Sequence, residues 1–260
     1  MEQERMSLKI ISLGAGVQST ALFVRACHSS DDTHAAIFAD TGWEPAAVYD
    51  HLNSLRDLGE AAGIPIHTVT AGKSIRDTRH DHTSGRMPYY IKTGPRDGML
   101  RRQCTTVYKI QPIRRKIREL LAEAGEKIAT LQLGISTDEI QRMRSSDVKY
   151  IVNAYPLIDA GLSRADCVAY LEQYGINAPR SACIGCPYHS DAEWRRIRDE
   201  SPIEFADAVK YEREIQQTVK TIGTPYLHRQ RVPLDQVDLT TIEDHGQMTF
   251  NDECAGICGL

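Results

Sequence analysis

The first 135 residues alternate between short apolar runs and amphipathic stretches, and that alternation limits the fold more than any other feature of the chain. LKIISLGAG (8–16) starts as a strand and ends in glycines, and VQSTALFVRACHSS then follows as an amphipathic helix. HAAIFAD ends in Asp40, AAVYDHLNSLRDLGEAAGI reads as a second helix stopped near Gly63, and PIHTVTAG as a third strand. A helix is predicted from about Thr106 to Ala124, with IATLQLGIS as a fourth strand. SRADCVAYLEQYG opens with a Ser163-x-x-Asp166 capping box and closes on Gly175. Strands and helices in alternation make a parallel sheet covered on both faces. The expected class is therefore α/β, a doubly wound, mostly parallel, Rossmann-like sheet. From Asp191 the chain reads as helical to about Thr221, a helical C-terminal extension. We expect two domains, 1–180 carrying the sheet and 181–260 carrying a cysteine pair and the tail.

Such sheets bind ligands at the carboxyl ends of their strands, where strand order reverses. Three strand ends are therefore of interest: GAGVQS, ADTGWE and GISTDE. Gly14 and Gly16 allow close backbone approach, and the N–H groups of the next helix make an anion site. Ser19 and Thr20 add hydroxyls. The segment is neither a dinucleotide fingerprint nor a Walker A loop, since it has no third glycine in place and no Gly-Lys-Ser/Thr. A tight turn with helix capping explains it as readily. Asp40 could accept from a ribose hydroxyl or an adenine amine, or could cap the helix after it. Glu139 and Arg142, three apart, share a helix face, either as a surface pair or with Arg142 or Arg144 neutralising a phosphate or sulfate.

Charge is unevenly spread. The net value is −4, yet Lys73–Arg118 holds 13 Lys/Arg against 3 Asp/Glu. RRQCTTVYKIQPIRRKIR has seven bases and no acid. It reads either as a solvated helix face or as a patch for a nucleotide or nucleic acid. No apolar run is long enough to span a bilayer, and MEQERMSLKI has acids where a leader has bases, so a cytoplasmic protein is expected.

Seven cysteines in a reducing compartment point to metal ligands, catalytic groups or core residues. Cys27 and Cys167 lie on helices and read as core. SACIGCPYH (181–189) carries a CxxC, which suits an iron–sulfur site, half of a structural zinc site or a redox couple. His189 and His228 read equally well as supporting groups or as surface histidines.

Six segments, in order over residues 8–190, resemble the PP-loop ATP pyrophosphatases and their phosphoadenosine-phosphosulfate reductase branch. GAGVQS resembles the superfamily's SGGxDS pyrophosphate loop. In the reductase branch, ADTGWE is similar to the D-T-G strand end, GISTDEIQR to G-x-R-x-x-E-S, and YPLIDAGLSRADCVAYLEQYGI to P-L-I-D-W…D-V-x-x-Y-L. CIGCP matches C-x-x-C-P, and RRQCTTVYKIQPI resembles the branch's cysteine-pair segment. This chain has Gln18 where the loop usually has Asp and Ser136 where the branch has Arg. It ends in NDECAGICGL without the reductases' terminal histidine.

The resemblance implies a PP-loop, adenine nucleotide alpha-hydrolase-like fold. ATP and Mg²⁺ would lie over Ser12, Gly14, Ala15, Gly16, Gln18, Ser19 and Thr20, with Asp40, Gly134 and Glu139 beside them. It implies Cys104 as third ligand with Cys183 and Cys186 to a 4Fe-4S cluster, and Cys258, Cys254 and Arg142 as catalytic groups. Either tail cysteine could instead supply the fourth ligand. The expected activity is ATP-dependent sulfur transfer to a nucleotide or nucleic acid, with tRNA or DNA held through residues 73–118. Sulfide or a sulfur donor protein would be the source, and a homodimer is among the expected assemblies. A sulfonucleotide reductase and a zinc-stabilised, non-catalytic nucleotide- or nucleic-acid-binding module stand as alternatives.

Overall fold

The structure, a computed structural model, describes residues 7–29, 32–80, 87–94, 97–218, 223–240 and 244. In chain order the elements are β1 (Leu8–Leu13), α1 (Val17–His28), β2 (Thr33–Asp40), α2 (Ala46–Ala62), β3 (Ile66–Thr70), β4 (Tyr90–Lys92) and β5 (Gly98–Met99). They continue with α3 (Gln111–Ala124), β6 (Ala129–Leu133), β7 (Ile151–Ala154), α4 (Pro156–Asp159) and α5 (Arg164–Glu172). The last are α6 (Asp191–Glu200), α7 (Pro202–Thr218) and β8 (Thr224–Tyr226). The chain divides into two compact units. One comprises 1–40, 46–70 and 111–181; the other takes 41–45, 71–110 and 182–260. The second unit thus draws on two segments that lie inside the first of the two domains expected from the sequence.

The first unit is the expected doubly wound sheet. Its strand order is β3-β2-β1-β6-β7, and every pairing is parallel. Neighbouring side chains on a strand point to opposite faces, so a strand covered on both sides must be apolar throughout. In β1, Ile10 and Ile11 are both fully buried and belong to different clusters. Ile11 and Leu13 pack with α1, α2 and α5 through Phe23, Leu52 and Leu171. Ile10 packs with α3 through Ile113, Ile117 and Leu121. Each such side chain, fully buried, contributes about 1.5–3 kcal/mol.

Local signals explain several boundaries. Ser163 and Asp166 form the predicted capping box at the start of α5. The expected helix 106–124 is helical but not uniform: Thr105–Ile110 is a π-helical stretch, and α3 begins only at Gln111. Pro112 has no N–H for the turn before it, so the wider winding ends where α3 begins. GISTDEIQR opens a short 3₁₀ turn, Thr137–Arg142, instead of an α-helix.

The second unit was only partly legible. Residues 72–103 read as a loop, yet they supply β4 and β5 of a small antiparallel sheet, β5-β4-β8. Its core gathers Trp43, Tyr89, Tyr108, Trp194, Tyr211 and the segment around Cys183.

Candidate functional site

Two groups of predicted residues come together, one in each unit. In the first unit the carboxyl ends of β1 and β6 adjoin where strand order reverses, since β1 pairs with β2 on one side and β6 on the other. Gly16 is the N-cap of α1 and offers no side chain to its first N–H groups. Ser19 braces the loop instead: its Oγ accepts from Gly14 N (3.2 Å) and donates to Gly16 O (3.1 Å). Ser181 Oγ donates to Gly14 O. Ala15 is buried and holds a left-handed φ of 59°, an uncommon conformation for a residue with a side chain. Gly134 fits against this turn so closely that a Cβ would meet Ser19 N and Cα at 2.7 Å. The result is a bare helix start with Ser12, half-buried, on the strand that leads into it.

Gln18 is held from both ends. Its Nε2 donates to Glu139 Oε2 (3.2 Å), and Arg164 Nη1 donates to its Oε1 (3.2 Å). Arg142 pairs with Glu139 Oε1 at 2.6 Å. A carboxylate at position 18 would face buried Glu139, whereas the amide satisfies both neighbours. The sequence pairing of Glu139 with Arg142 is thus observed, but the roles of Gln18 and Arg164 were missed. Asp40 accepts from Tyr49 OH at 2.9 Å. Thr20, fully buried, bonds His51 Nε2 (3.0 Å), and burial lowers the His51 pKa.

In the second unit Cys104, Cys183 and Cys186 line one cavity, together with Thr41, Arg102, Lys109 and Tyr188. The CxxC folds back tightly: Cys186 N–H donates to Cys183 O (3.0 Å), and His189 N–H to Cys186 O (3.1 Å). His189 is buried, not a surface residue. Its Nε2–H donates to the carbonyls of Cys183 (3.0 Å) and Ile184 (3.2 Å), and its ring meets Trp194 edge-on. His228 is buried too, bonded to Asp191 Oδ1 at 2.8 Å, with its pKa lowered by burial.

Of the T-G-W-E that follows Asp40, Thr41 lines this cavity, and Trp43 and Glu44 contact the Cys183–Gly185 segment. Trp43 O accepts from Ile184 N (2.9 Å), and its indole lies over Gly185. Trp43 Nε1 donates to Asp207 Oδ2 (2.7 Å), and Arg76 grips the same carboxylate. Thr41 Oγ lies 3.2 Å from Cys183 Sγ and donates to Glu44 Oε1 at 2.9 Å. Cys183 Sγ is 3.7 Å from the same oxygen, and Lys109 Nζ 3.9 Å. Glu44 Oε2 is buried without a hydrogen-bond partner among the described residues. Glu44 stands directly before Pro45, ahead of α2, and nothing local signals its burial.

Three thiols on one cavity are a donor set that suits an iron–sulfur cluster or another thiophilic centre, and Arg102 and Lys109 offset its negative charge. Among the described residues no three His, Cys, Asp or Glu side chains are close enough to hold a single metal ion. A cluster instead spreads its protein ligands over separate irons. Cys254 and Cys258 lie outside the described residues. Cys167 is fully buried and Cys27 half-buried in the sheet unit; burial pushes both thiols up to about 11, which fits core residues.

Part of the basic segment is paired within the molecule. Arg76, Lys109, Arg114 and Lys116 pair with carboxylates. Arg115 donates to Thr70 O, and Arg118 to Tyr150 OH. No helix among the described residues is long and apolar enough to cross a membrane.

The phosphoadenosine phosphosulfate reductase domain matches residues 9–176. The chain belongs to that family. The match begins within β1 and runs past α5, so it takes in the glycine turn, Asp40, Cys104 and Glu139, and it stops before the CxxC. Among solved structures, this family member is similar to the U34-tRNA thiolase NcsA from Methanococcus maripaludis with its [4Fe-4S] cluster. The two are 14% identical over 84% of this chain and 75% of that one, with a TM-score of 0.40. No curated protein matches the chain.

Proposed function

We propose that this family member is an iron–sulfur-dependent PP-loop enzyme that uses ATP to transfer sulfur to a nucleotide or nucleic acid through an adenylylated intermediate. The observation that carries the reading is the convergence of Cys104, Cys183 and Cys186, up to 82 residues apart in sequence, on one cavity. Family membership supports the nucleotide half.

ATP is assigned to the turn from Ser12 to Thr20. The unpaired N–H groups and dipole of α1 face the phosphates, and Ser19 keeps the loop in shape. Asp40 is the acceptor for a ribose hydroxyl or adenine amine. Gly134 leaves room for the loop, while Glu139 and Arg164 fix Gln18. Arg142, charge-balanced by Glu139, is the cation for the developing negative charge, and Mg²⁺ would supply further charge neutralisation to the triphosphate. The acceptor oxygen attacks the α-phosphorus and pyrophosphate leaves. Sulfide then displaces AMP, so one carbon–oxygen bond is exchanged for a carbon–sulfur bond. Cys104, Cys183 and Cys186 would hold the cluster, which when bound supplies Lewis-acid and sulfur-handling chemistry. Cys254 or Cys258 is assigned as the catalytic thiol, and Arg102 and Lys109 as the cations that attract anionic sulfide to the cavity.

A second reading, reduction of a sulfonucleotide, is favoured by the family to which the chain belongs. Anaerobically purified protein given ATP and an RNA or DNA acceptor, and separately adenylyl sulfate with a thiol reductant, separates the two. Pyrophosphate release with sulfur incorporation supports the first, and sulfite release the second. A colourless, zinc-loaded protein that releases neither product overturns both.

A further inference from the structure

We propose that Glu44 is the oxygen donor that completes the metal centre lined by Cys104, Cys183 and Cys186. The assignment rests on the iron–sulfur reading above and names a ligand that the sequence reading did not consider.

A side-chain carboxylate that is 1% exposed is costly to bury unless each oxygen finds a partner. Glu44 Oε1 has partners: Thr41 Oγ donates to it at 2.9 Å, and Cys183 Sγ and Lys109 Nζ lie at 3.7 and 3.9 Å. Glu44 Oε2 has none. A buried unsatisfied polar atom in a native fold needs a cause, and an absent ion is one of the few available. The oxygen belongs to a group already touching one of the three cavity cysteines. Thr41, which lines that cavity, fixes the carboxylate's orientation in the way outer-shell donors fix metal-ligating carboxylates. Among the described residues three cysteines leave one cluster position without a thiolate, and Glu44 is a buried acid beside Cys183.

Wild type, Glu44→Gln and Cys258→Ser, each as the full chain, are reconstituted anaerobically with ferrous iron and sulfide. Iron per chain, the visible and paramagnetic resonance spectra, and the rate of iron loss to a chelator are then compared. Glutamine keeps the shape and the Thr41 hydrogen bond but removes the anionic donor. Losing a ligating contact should speed loss of the first iron by about 10–100-fold and leave the paramagnetic signal of a three-iron cluster, while Cys258→Ser behaves as wild type. Should Glu44→Gln fail to fold, Thr41→Val tests the same group: it frees the carboxylate and is expected to speed iron loss several-fold, an unchanged rate overturning the assignment. Wild-type rates and spectra in folded Glu44→Gln overturn the role of Glu44 and leave the cluster reading standing. A wild type that takes up no iron overturns the cluster reading and this assignment with it.

Discussion

Gly185 lies against the indole of Trp43 so closely that a Cβ at that position would sit 2.2 Å from Cη2 and 2.4 Å from Cζ3. The ring has little freedom to retreat, because Asp207 holds its Nε1 and Ile184 N–H holds its carbonyl. The glycine inside CIGC is therefore a packing requirement of the cysteine turn. Gly185→Ala should cost about 1–3 kcal/mol by overpacking. Thermal unfolding followed by circular dichroism should show a melting temperature several degrees lower. An unchanged melting temperature would mean that Trp43 moves freely.

Gly134→Ala should act on the other unit. Its Cβ would press on Ser19 N and Cα at 2.7 Å and on Gln18 C at 3.0 Å, all in the first turn of α1. Backbone must shift there, and the N–H groups assigned to phosphate shift with it. Calorimetric titration should give an ATP affinity at least ~10-fold weaker, equivalent to about 1.4 kcal/mol. Retained affinity would place the phosphates elsewhere.

The thiols of Cys27 and Cys167, pushed up to about 11 by burial, should be inert in the native protein. At pH 8 only roughly one thiol in a thousand is ionised, and the thiolate is the reacting form. Iodoacetamide labelling followed by peptide mass spectrometry should leave both unmodified until urea is added. Labelling of either at native conditions would place it outside the core.

Glu212 on α7 accepts Leu227 N–H at 2.8 Å and Leu234 N–H at 2.7 Å. Burial raises its pKa from 4.5 to about 7 despite those two donors. The folded state therefore binds this proton more tightly than the unfolded chain. Its stabilising effect is complete below about pH 4.5 and is lost as pH rises to about 7, a change of a few kcal/mol. Glu212→Gln should be less stable at low pH, having given up one of two acceptors, and should lose this slope. Urea midpoints measured from pH 4.5 to 8 test both statements. A slope identical to wild type would assign it to other groups.

What the sequence disclosed follows the reach of its signals. β1, β2 and β6, covered on both faces, are short and mainly apolar, and α1, α2 and α5 carry their periodicity and boundary signals within a few residues, so the sheet unit could be read locally. The small sheet could not: β4 and β8 are three residues each and pair across more than 130 positions of chain. The convergence of Cys104 on the CxxC could be anticipated only through family likeness. Glu44 escaped because its setting is created by tertiary packing: Thr41 is three residues away, but Cys183 reaches it from 139 positions along the chain. The histidines went the same way, since nothing near His189 in sequence announces that it will brace two carbonyls of the cysteine turn.

The placement of β1 at the centre of its sheet has a consequence for synthesis. One of its edges is satisfied as soon as β2 emerges from the ribosome, but the other must wait for β6, which begins more than 100 residues after β1 ends. At about 5–20 residues per second, translation leaves that apolar edge uncovered for on the order of ten seconds. Nascent chains stalled in this interval should be the form most prone to aggregate and most in need of a chaperone.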